Sequence, residues 1–257
     1  RMGIRPVADF ETLNYQIMTD LNTSTEATIT DETAIGFIPC YRLPFLSLFH
    51  ADCMEIMKQY PDKYFDLAIV DPPYGIGVSE MNIGARKVKN KSCDNKGWDS
   101  GIPTQEYFNE LQRVSKNQII WGANYFNCFN GKNGAIIWHK NNPLPTSSDC
   151  EIASYSKHSK VAIFNKTWTN YVNDKETNHP TEKPITLYSW LIQKYTEYGF
   201  KILDTHFGSG SIALAVDKAN RLDKMNLHLT ACEIDKEYID KAIKRISESI
   251  KQYTLSF

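Results

Sequence analysis

Several patterns that often reveal a protein's function are missing from this sequence of 257 residues. The six cysteines, at positions 40, 53, 93, 128, 150 and 232, include no Cys-x-x-Cys pair, and the six histidines include no His-x3-His arrangement. These absences argue against a structural metal site and against a disulfide framework. No apolar run has the length of a membrane span, and no secretory signal pattern occurs, so we expect a reduced, cytoplasmic protein without membrane partners.

Excess positive charge is also missing. The chain has 29 Lys and Arg against 30 Asp and Glu, which gives a formal net charge of −1. A domain that binds nucleic acid usually has a clearly basic balance. Any attraction to a nucleic acid must therefore come from a local group of basic side chains.

Two common nucleotide-binding patterns are absent as well. The chain does have a glycine-rich segment, Phe207-Gly-Ser-Gly210, but its spacing is neither the dinucleotide pattern GxGxxG nor the phosphate loop GxxxxGK[ST]. No lysine follows it to hold a triphosphate. The sequence thus disfavours NAD and ATP as ligands.

The most informative feature that is present is Asp71-Pro72-Pro73-Tyr74, which follows the strand-like run 65–70. A carboxylate and a backbone carbonyl can accept the N–H bonds of an exocyclic amine, and prolines hold such acceptors rigid. A tyrosine just after them can stack on a flat ring. Asp-Pro is also a common turn dipeptide, and an aromatic residue after it can simply pack on the core.

A second feature supports the first. Ile202 and Leu203 form a short apolar run that ends at Asp204, and Thr205, His206 and the glycine turn lead to a helical run from Ser211. Strand, glycine turn and helix in this order suit a nucleotide-like ligand, because the backbone can approach closely and the helix N-terminus offers free N–H groups.

The strand-like run 227–232 then ends at Glu233. A carboxylate at this position of a strand–turn–helix–strand unit can accept hydrogen bonds from ribose hydroxyls. Glu233 and Asp235 equally suit the start of a helix, where carboxylates stabilise the dipole.

These motifs resemble those of S-adenosylmethionine-dependent amino-methyltransferases of DNA. Asp71–Tyr74 precedes the glycine turn in the chain, an order that resembles the circularly permuted beta group. The segment His179-Pro-Thr-Glu-Lys-Pro184 resembles the one before the cofactor strand in that group, and 51–57 is similar to its adenine-contacting strand end. Trp121-Gly-Ala-Asn-Tyr-Phe126 is similar to a stretch of phage and prophage adenine methylases.

The resemblance implies a set of site residues. The catalytic group is Asp71, Pro72, Pro73 and Tyr74. S-adenosylmethionine, whose product is S-adenosylhomocysteine, is expected to contact Asp52, Cys53, Asp71, Thr181, Lys183, Asp204, His206, Phe207, Gly208, Ser209, Gly210, Ser211, Glu233 and Ile234. Thr181 and Lys183 are assigned to the methionine end, although Thr181 could instead cap a helix before Pro184.

Two departures from the family pattern concern the cofactor segment. The family usually has Asp-Pro-Phe before the glycines, whereas this chain has Asp204-Thr-His-Phe207, which leaves the role of His206 open. Ser211 stands where threonine is common and keeps the hydroxyl.

The aspartate at position 71 resembles the adenine-N6 enzymes, since serine is more typical of cytosine-N4 enzymes. We expect a double-stranded DNA substrate and methylation of a flipped adenine. Cytosine N4, an RNA or protein amide, and a catalytically silent subunit with a methyltransferase fold are the alternatives. A homodimer and a partner restriction endonuclease are further expectations, with a nucleoid-associated location.

Two segments are predicted to contact DNA. The loop 76–99 carries the basic side chains Arg86, Lys87, Lys89, Lys91 and Lys96, which can neutralise phosphates or form a solvated surface. The segment 141–178 is the predicted target-recognition region, with Trp168 as a contact. Trp168 and Tyr171 could equally be core aromatics.

Periodicity completes the predicted organisation. Helices are predicted at 104–116, 184–198 (closed by Gly199) and 235–252, and strands at 118–121, 134–138, 152–155 and 161–164. Alternation of strands and helices predicts an α/β fold with a doubly wound, mostly parallel sheet. The family resemblance implies that this is the Rossmann-like class I methyltransferase fold with a small target-recognition insertion. We assign 1–34 to an N-terminal segment of unknown role and 35–257 to the catalytic domain, with the cofactor-loop unit at 200–235.

Overall fold

The computed structural model describes residues 36–75, 101–129, 132–141, 148–165 and 182–254. Within them, nine strands form one sheet in the order β1-β2-β9-β8-β3-β4-β6-β5-β7. The strands are β1 (Tyr41–Leu43), β2 (Leu46–His50), β3 (Phe65–Val70), β4 (Ser115–Trp121), β5 (Gly134–His139), β6 (Cys150–Tyr155), β7 (Val161–Asn165), β8 (Lys201–Asp204) and β9 (His228–Glu233).

Helices connect the strands, as expected of a doubly wound sheet. The described helices are α1 (Cys53–Met57), α2 (Gln105–Val114), α3 (Ile185–Tyr195), α4 (Ser211–Asp223) and α5 (Lys236–Thr254). The predicted α/β class and the mostly parallel sheet are confirmed.

Five neighbouring strands, β2, β9, β8, β3 and β4, run parallel to one another. Chain order reverses between β8 and β3: the chain continues from β8 to β9 on one side and from β3 to β4 on the other. Ligands of open α/β sheets bind in the crevice at such a switch point, outside the carboxyl ends of the strands. The fold therefore places its ligand crevice at the ends of β8 and β3.

The other end of the sheet is partly antiparallel. Strand β6 pairs antiparallel with both β4 and β5, and β7 pairs parallel with β5. The described part of the segment 141–178 thus contributes the inner strand β6 and the edge strand β7 to this end of the sheet. Its role in target recognition stays a prediction, and Trp168 and Tyr171 lie outside the described residues.

The periodicity of apolar residues predicted the helices and strands, but it predicted some of their ends wrongly. The helix predicted at 104–116 stops at Val114, because Ser115 has an extended backbone and begins β4 directly. The helix predicted to end near Tyr198 ends at Tyr195. Thr196 is extended, and its backbone N–H and its hydroxyl both donate to the Ile192 carbonyl, which closes the last turn before Gly199 is reached.

A cluster of buried side chains lies between the sheet and the helices α3, α4 and α5. It includes Trp121 and Trp138, which are fully buried, together with residues of α3, α4 and α5. Their burial makes these two tryptophans core residues. The core fixes β3 and β8 relative to each other and so fixes the crevice at their ends.

Candidate active site

Four acidic residues mark the carboxyl edge of the parallel strands. Asp204 and Glu233 are the last residues of β8 and β9, while Asp71 directly follows β3 and Asp52 lies two positions after the end of β2. Because these strands are neighbours and parallel, the four acidic side chains lie along one edge. Such a row suits a ligand with hydroxyl donors and positive charge.

The glycine turn connects β8 to α4 at this edge. Gly208 and Gly210 have positive φ angles of 51° and 75°. A Cβ on Gly210 would lie 3.2–3.3 Å from side-chain atoms of Ala242, Phe207 and Ile246, so both the conformation and the space require glycine. The turn brings backbone close to the edge, where α4 begins with the free N–H groups of its first turn.

Glu233 holds the glycine turn in place. Its Oε2 accepts the Gly208 N–H at 2.9 Å, and its Oε1 accepts the N–H groups of Ile234 and Asp235 at 2.9 and 3.0 Å. Burial raises the pKa of Glu233, although these backbone N–H groups oppose the shift. The helix-start interpretation fits Asp235, whose Oδ1 accepts the Glu237 N–H of α5 at 2.8 Å, whereas Glu233 holds the turn and keeps one lone pair of Oε2 for a hydroxyl donor.

The residues that follow β2 and β9 include side chains that are exposed to solvent. Asp52 is exposed and caps α1 by accepting the Met54 N–H at 2.7 Å. Ile234 is 67% exposed, which leaves an apolar side chain for a flat ring to cover. Burial raises the pKa of Cys53 to about 12, so its sulfur is a neutral thiol and a weak nucleophile.

Burial shifts the pKa values of Asp204 and His206, which precede the glycine turn in the chain. Burial raises the pKa of Asp204 to about 8, although its Oδ1 accepts the His206 backbone N–H at 3.0 Å. Burial lowers the pKa of His206 to about 4, and its Nδ1 lies 2.9 Å from the Thr205 hydroxyl. The ring of His206 is therefore neutral near pH 7 and packs edge-on against Tyr107.

Phe207, Ser209 and Ser211 are buried, and Phe207 belongs to the core. The Ser211 hydroxyl donates to Glu182 Oε1 at 3.1 Å, and Arg245 of α5 lies 2.6 Å from the same oxygen. Arg245 also donates to the Ser209 carbonyl at 3.1 Å. This ion pair ties α5 and the segment before α3 to the first turn of α4.

Both carboxylate oxygens of Asp71 have partners. The Tyr74 hydroxyl donates to Oδ1 at 2.5 Å, and Lys183 Nζ lies 2.5 Å from Oδ2. Burial raises the pKa of Asp71, and the Lys183 ammonium only partly offsets that effect. Burial also raises the pKa of Tyr74 well above its ordinary value, so the phenol remains a donor.

Lys183 is shared by two carboxylates. Its side chain is 3% exposed, and Glu151 Oε2 of β6 lies 3.0 Å from Nζ. Glu151 Oε1 lies 2.6 Å from Lys140 Nζ. Burial lowers the pKa of Lys183, but Asp71 and Glu151 outweigh that effect and leave it raised, so the ammonium is charged.

The ring of Tyr74 is enclosed by the motif Trp121–Phe126. Tyr125 stacks on it with ring centroids 5.1 Å apart, and Phe126 meets it edge-on at 6.0 Å. A Cβ on Gly122 would lie 2.2 Å from Tyr74 Cε1, so only glycine permits this approach. Tyr125 is 39% exposed. The two tyrosines thus form an aromatic surface beside Asp71.

Some predicted contacts fall outside the described residues. These are Thr181, the basic loop with Arg86, Lys87, Lys89, Lys91 and Lys96, and Trp168, all of which stay predictions. The described cysteines, among them Cys53 and Cys232, are unpaired. In the described ranges, no group of three His, Cys, Asp or Glu side chains could hold a metal ion, and no helix is long and apolar enough to cross a membrane.

Sequence reasoning missed Glu151, Glu182 and Arg245. Glu151 and Arg245 stand alone in ordinary strand and helix patterns, so no local signal exists. Glu182 lies inside the segment 179–184 and could have been noticed there. Lys183 was expected at the cofactor's methionine end, whereas its described partners are Asp71, Glu151 and Tyr74.

S-adenosylmethionine fits this edge. Its ribose hydroxyls are donors that match Glu233, its two positive groups match the acidic edge, and its carboxylate matches the positive N-terminal end of α4. The tight turn at Gly208 and Gly210 leaves room for close backbone contact. The donors and acceptors at the crevice are therefore those that this cofactor needs.

Comparison with known proteins agrees with the geometry. Residues 65–244 match a family model described as DNA methylase of the N6/N4 type. The chain is 26% identical to Type II methyltransferase M2.MboI of Moraxella bovis, over 66% of this chain and 78% of that protein. It is 24% identical to Type II methyltransferase M2.LlaDCHI of Lactococcus lactis subsp. cremoris, over 82% and 92%.

Solved structures share the fold. The crystal structure of the M1.HpyAVI–SAM complex matches with a TM-score of 0.52 and 20% identity, over 78% of this chain and 99% of that chain. The PvuII DNA methyltransferase (cytosine-N4-specific) matches with a TM-score of 0.54 and 14% identity, over 81% and 89%. With the family model covering 65–244, the chain belongs to the N6/N4 family of S-adenosylmethionine-dependent DNA methyltransferases.

Proposed function

We propose that this protein methylates the exocyclic N6 of adenine in double-stranded DNA and belongs to the permuted beta group. The observation that carries the proposal is the position of Asp71 and Tyr74 beside the glycine turn, at the switch point between β3 and β8. The order of Asp71–Tyr74 before Phe207–Gly210 along the chain supports the beta-group assignment.

Asp71 and the Pro72 carbonyl are the proposed acceptors for the two N–H groups of the target amine. The adenine amine is a poor nucleophile, because its lone pair is delocalised into the ring. Two acceptors held by Pro72 and Pro73 draw the nitrogen toward a tetrahedral shape and aim its lone pair. S-adenosylmethionine, when bound, supplies an electrophilic methyl group on a sulfonium.

Direct transfer balances without a covalent enzyme intermediate. A carbon–nitrogen bond forms as the sulfur–methyl bond breaks, and the surplus proton of the amine passes to Asp71 and then to solvent. The buried position of Asp71 raises its pKa and thereby favours acceptance of that proton. Most of the rate comes from holding the two reacting atoms in attack geometry, an effect that can reach roughly 7–11 kcal/mol.

Tyr74 is the proposed stacking partner of the target base. The amine cannot be reached inside a duplex, so the base must rotate out at a cost of a few kcal/mol, which stacking and edge hydrogen bonds offset. Gly122 permits the close approach that places the Tyr74 ring, and the stacking of Tyr125 on that ring supports its capacity to hold a flat ring.

The aspartate at position 71 favours adenine over cytosine. It resembles the adenine-N6 enzymes, whereas serine is more typical of the cytosine-N4 enzymes. The likeness to the cytosine-N4-specific PvuII enzyme, at 14% identity, concerns the fold alone. Contact of S-adenosylmethionine with Glu233, Asp52, Ile234 and the glycine turn belongs to the same proposal. A partner restriction endonuclease and a homodimer stay predictions.

The test is transfer of labelled methyl from S-adenosylmethionine to unmethylated bacterial genomic DNA, followed by digestion to nucleosides and identification by mass. We expect N6-methyladenine. N4-methylcytosine would keep the acceptor arrangement and overturn the base assignment. Parallel reactions with RNA and with a protein extract serve as controls, and methylation of these in place of DNA would overturn the proposed substrate. Cofactor binding without transfer to any of them would indicate a silent subunit.

A further inference from the structure

Both oxygens of the proposed acceptor, the carboxylate of Asp71, already have partners in the structure. Asp71 Oδ1 holds the Tyr74 hydroxyl, and Oδ2 lies 2.5 Å from Lys183 Nζ. A charged ammonium at this distance is a stronger donor than the neutral amine of a base. For Asp71 to accept the target N–H, the ammonium must loosen its hold on Oδ2.

Lys183 cannot release its hydrogen bond into water, because its side chain is 3% exposed. A buried ammonium that loses a carboxylate partner without a replacement is strongly destabilised. The replacement must therefore be another protein group within reach of Nζ. Among the described residues, Glu151 is the second carboxylate paired with this ammonium.

We propose that Glu151 is a positioning residue that takes up Lys183 Nζ as the target amine binds, and so frees Asp71 Oδ2 to accept the amine N–H. Glu151 acts through Lys183 and touches neither substrate nor cofactor. This inference rests on the proposed function, since it presupposes that Asp71 accepts an exocyclic amine.

The geometry of Glu151 suits this task. Its Oε2 lies 3.0 Å from Lys183 Nζ, yet this buried oxygen has no well-aligned hydrogen bond. A buried acceptor without a hydrogen bond is costly and calls for an explanation. A small shift of Nζ toward Glu151 would complete that bond at the moment when Asp71 exchanges the ammonium for the amine.

An ion pair with Lys140 holds Glu151 in position. Lys140 Nζ lies 2.6 Å from Glu151 Oε1, and Lys140 follows β5 directly, while Glu151 belongs to the neighbouring strand β6. The ammonium groups of Lys140 and Lys183 outweigh the effect of burial and lower the pKa of Glu151, so the carboxylate is charged. Two ammonium groups and two carboxylates then balance, and moving Nζ between the carboxylates leaves the net charge of the cluster unchanged.

The first test is Glu151→Gln, which keeps the shape and removes the charge. With one carboxylate left, the ammonium binds Asp71 more firmly, and the single-turnover rate of methyl transfer at saturating S-adenosylmethionine should fall about tenfold. The dissociation constant for the cofactor, measured by titration calorimetry, should stay within about twofold of the wild-type value, because Glu151 acts on the amine acceptor.

Glu110→Gln is the matched control. Glu110 is 19% exposed against 22% for Glu151, and it pairs with Arg113 at 2.7 Å in α2, away from the cluster around Lys183. We expect this control to leave both quantities unchanged. An unchanged rate in Glu151→Gln would overturn the inference, as would a loss of cofactor affinity equal to the loss of rate, which would indicate general damage.

A double-mutant cycle separates action through Lys183 from an independent effect. In a Lys183→Met background, Glu151→Gln should cause no further loss of rate, because no ammonium remains to be shared. The same tenfold loss in both backgrounds would contradict the inference. Lys140→Met is a second test, because it removes the ion pair that holds Glu151 but leaves Glu151 in place. We expect the single-turnover rate to fall less than in Glu151→Gln. An unchanged rate would count against the role of Lys140.

The same experiments distinguish a failure of this inference from a failure of the proposed function. If the wild-type protein transfers no methyl group to DNA, the proposed function fails before any variant is made. If the wild-type protein is active and Glu151→Gln is equally active, the proposed function stands and the role of Glu151 is excluded.

Discussion

Asp71 and Glu233 end parallel strands at the same edge of the sheet, yet they are held in different ways. Glu233 accepts three backbone N–H groups, so its position is fixed by the main chain. Asp71 is held by two side chains, Tyr74 and Lys183. Backbone donors cannot rotate away, whereas side-chain donors can exchange partners.

This contrast separates two tasks. A fixed carboxylate suits a cofactor that must always bind in one pose. The glycine turn beside Glu233 is also fixed by main-chain contacts. An exchangeable carboxylate suits an amine that arrives on a flipped base and leaves methylated. We therefore propose that the backbone contacts around Glu233 serve the cofactor and that the cluster of charged and aromatic side chains around Asp71 serves the target amine.

The largest effect is expected from Asp71→Asn. An amide keeps the shape but presents one acceptor oxygen and no charge, so it cannot receive the amine proton. We expect a loss of about 10³-fold in turnover, within the range for a lost acid–base group. The measurement is initial rate of labelled methyl transfer to genomic DNA at saturating cofactor. Near-normal turnover would contradict the assignment of Asp71.

Gly122→Ala should have the next largest effect. The new Cβ would lie 2.2 Å from Tyr74 Cε1, and Gly122 has φ of 72°, so the Tyr74 ring must move. Displacing a positioning group by an ångström can cost about 10²-fold in rate, and we expect a loss of that order in single-turnover transfer. Gly101→Ala is the control, because a Cβ there meets nothing within 4 Å. Equal rates in the two variants would show that the ring position is irrelevant.

Glu233→Gln is expected to act on the cofactor alone. One carboxylate oxygen becomes an NH2 group that faces a backbone N–H, either of Gly208 or of Ile234 and Asp235. The turn then loses a charge-assisted hydrogen bond, and cofactor affinity should fall about tenfold. Turnover at saturating cofactor should change little. Glu248→Gln, on the exposed face of α5, is the control. A fall in saturated turnover without a change in affinity would reverse the proposed division.

A separate prediction, which concerns folding and not methyl transfer, is a pH dependence of stability that originates from Asp204. Its pKa is about 8 in the folded protein against an ordinary value of 3.8, so the folded state binds more protons than the unfolded state between these limits. Stability therefore falls as pH rises from about 4 to about 8. Asp204→Asn should remove this component, seen as a flatter dependence of melting temperature on pH. Parallel curves for the two proteins would contradict it.

Local patterns explain why one half of the site could be predicted. Strand, turn and helix follow one another within 201–216, so Asp204, the glycines and Ser211 were all identified from sequence. Asp71–Tyr74 was found because a strand-like run ends there. The end of α3 at Tyr195 was missed, since both Thr196 and Gly199 are plausible stops and side-chain hydrogen bonding decided between them.

The other half of the candidate site could not be predicted, because it depends on contacts between residues that are distant in the chain. Glu151 reaches Lys183 only because β6 pairs antiparallel with β4, an arrangement that the sequence does not specify. Tyr125 lay in a recognised motif, but its stacking on Tyr74 depends on the turn after β4. The charged cluster around Asp71 is therefore a property of the folded sheet.

The most direct test of the division between the two sides is the dissociation constant of Asp71→Asn for S-adenosylmethionine, measured by titration calorimetry beside that of Glu233→Gln. The account predicts that Asp71→Asn, although it transfers almost no methyl groups, binds the cofactor within about threefold of the wild-type protein, because its role is played toward the amine. Weakening in Asp71→Asn as large as that in Glu233→Gln would show that the two acids share one task and would contradict the account.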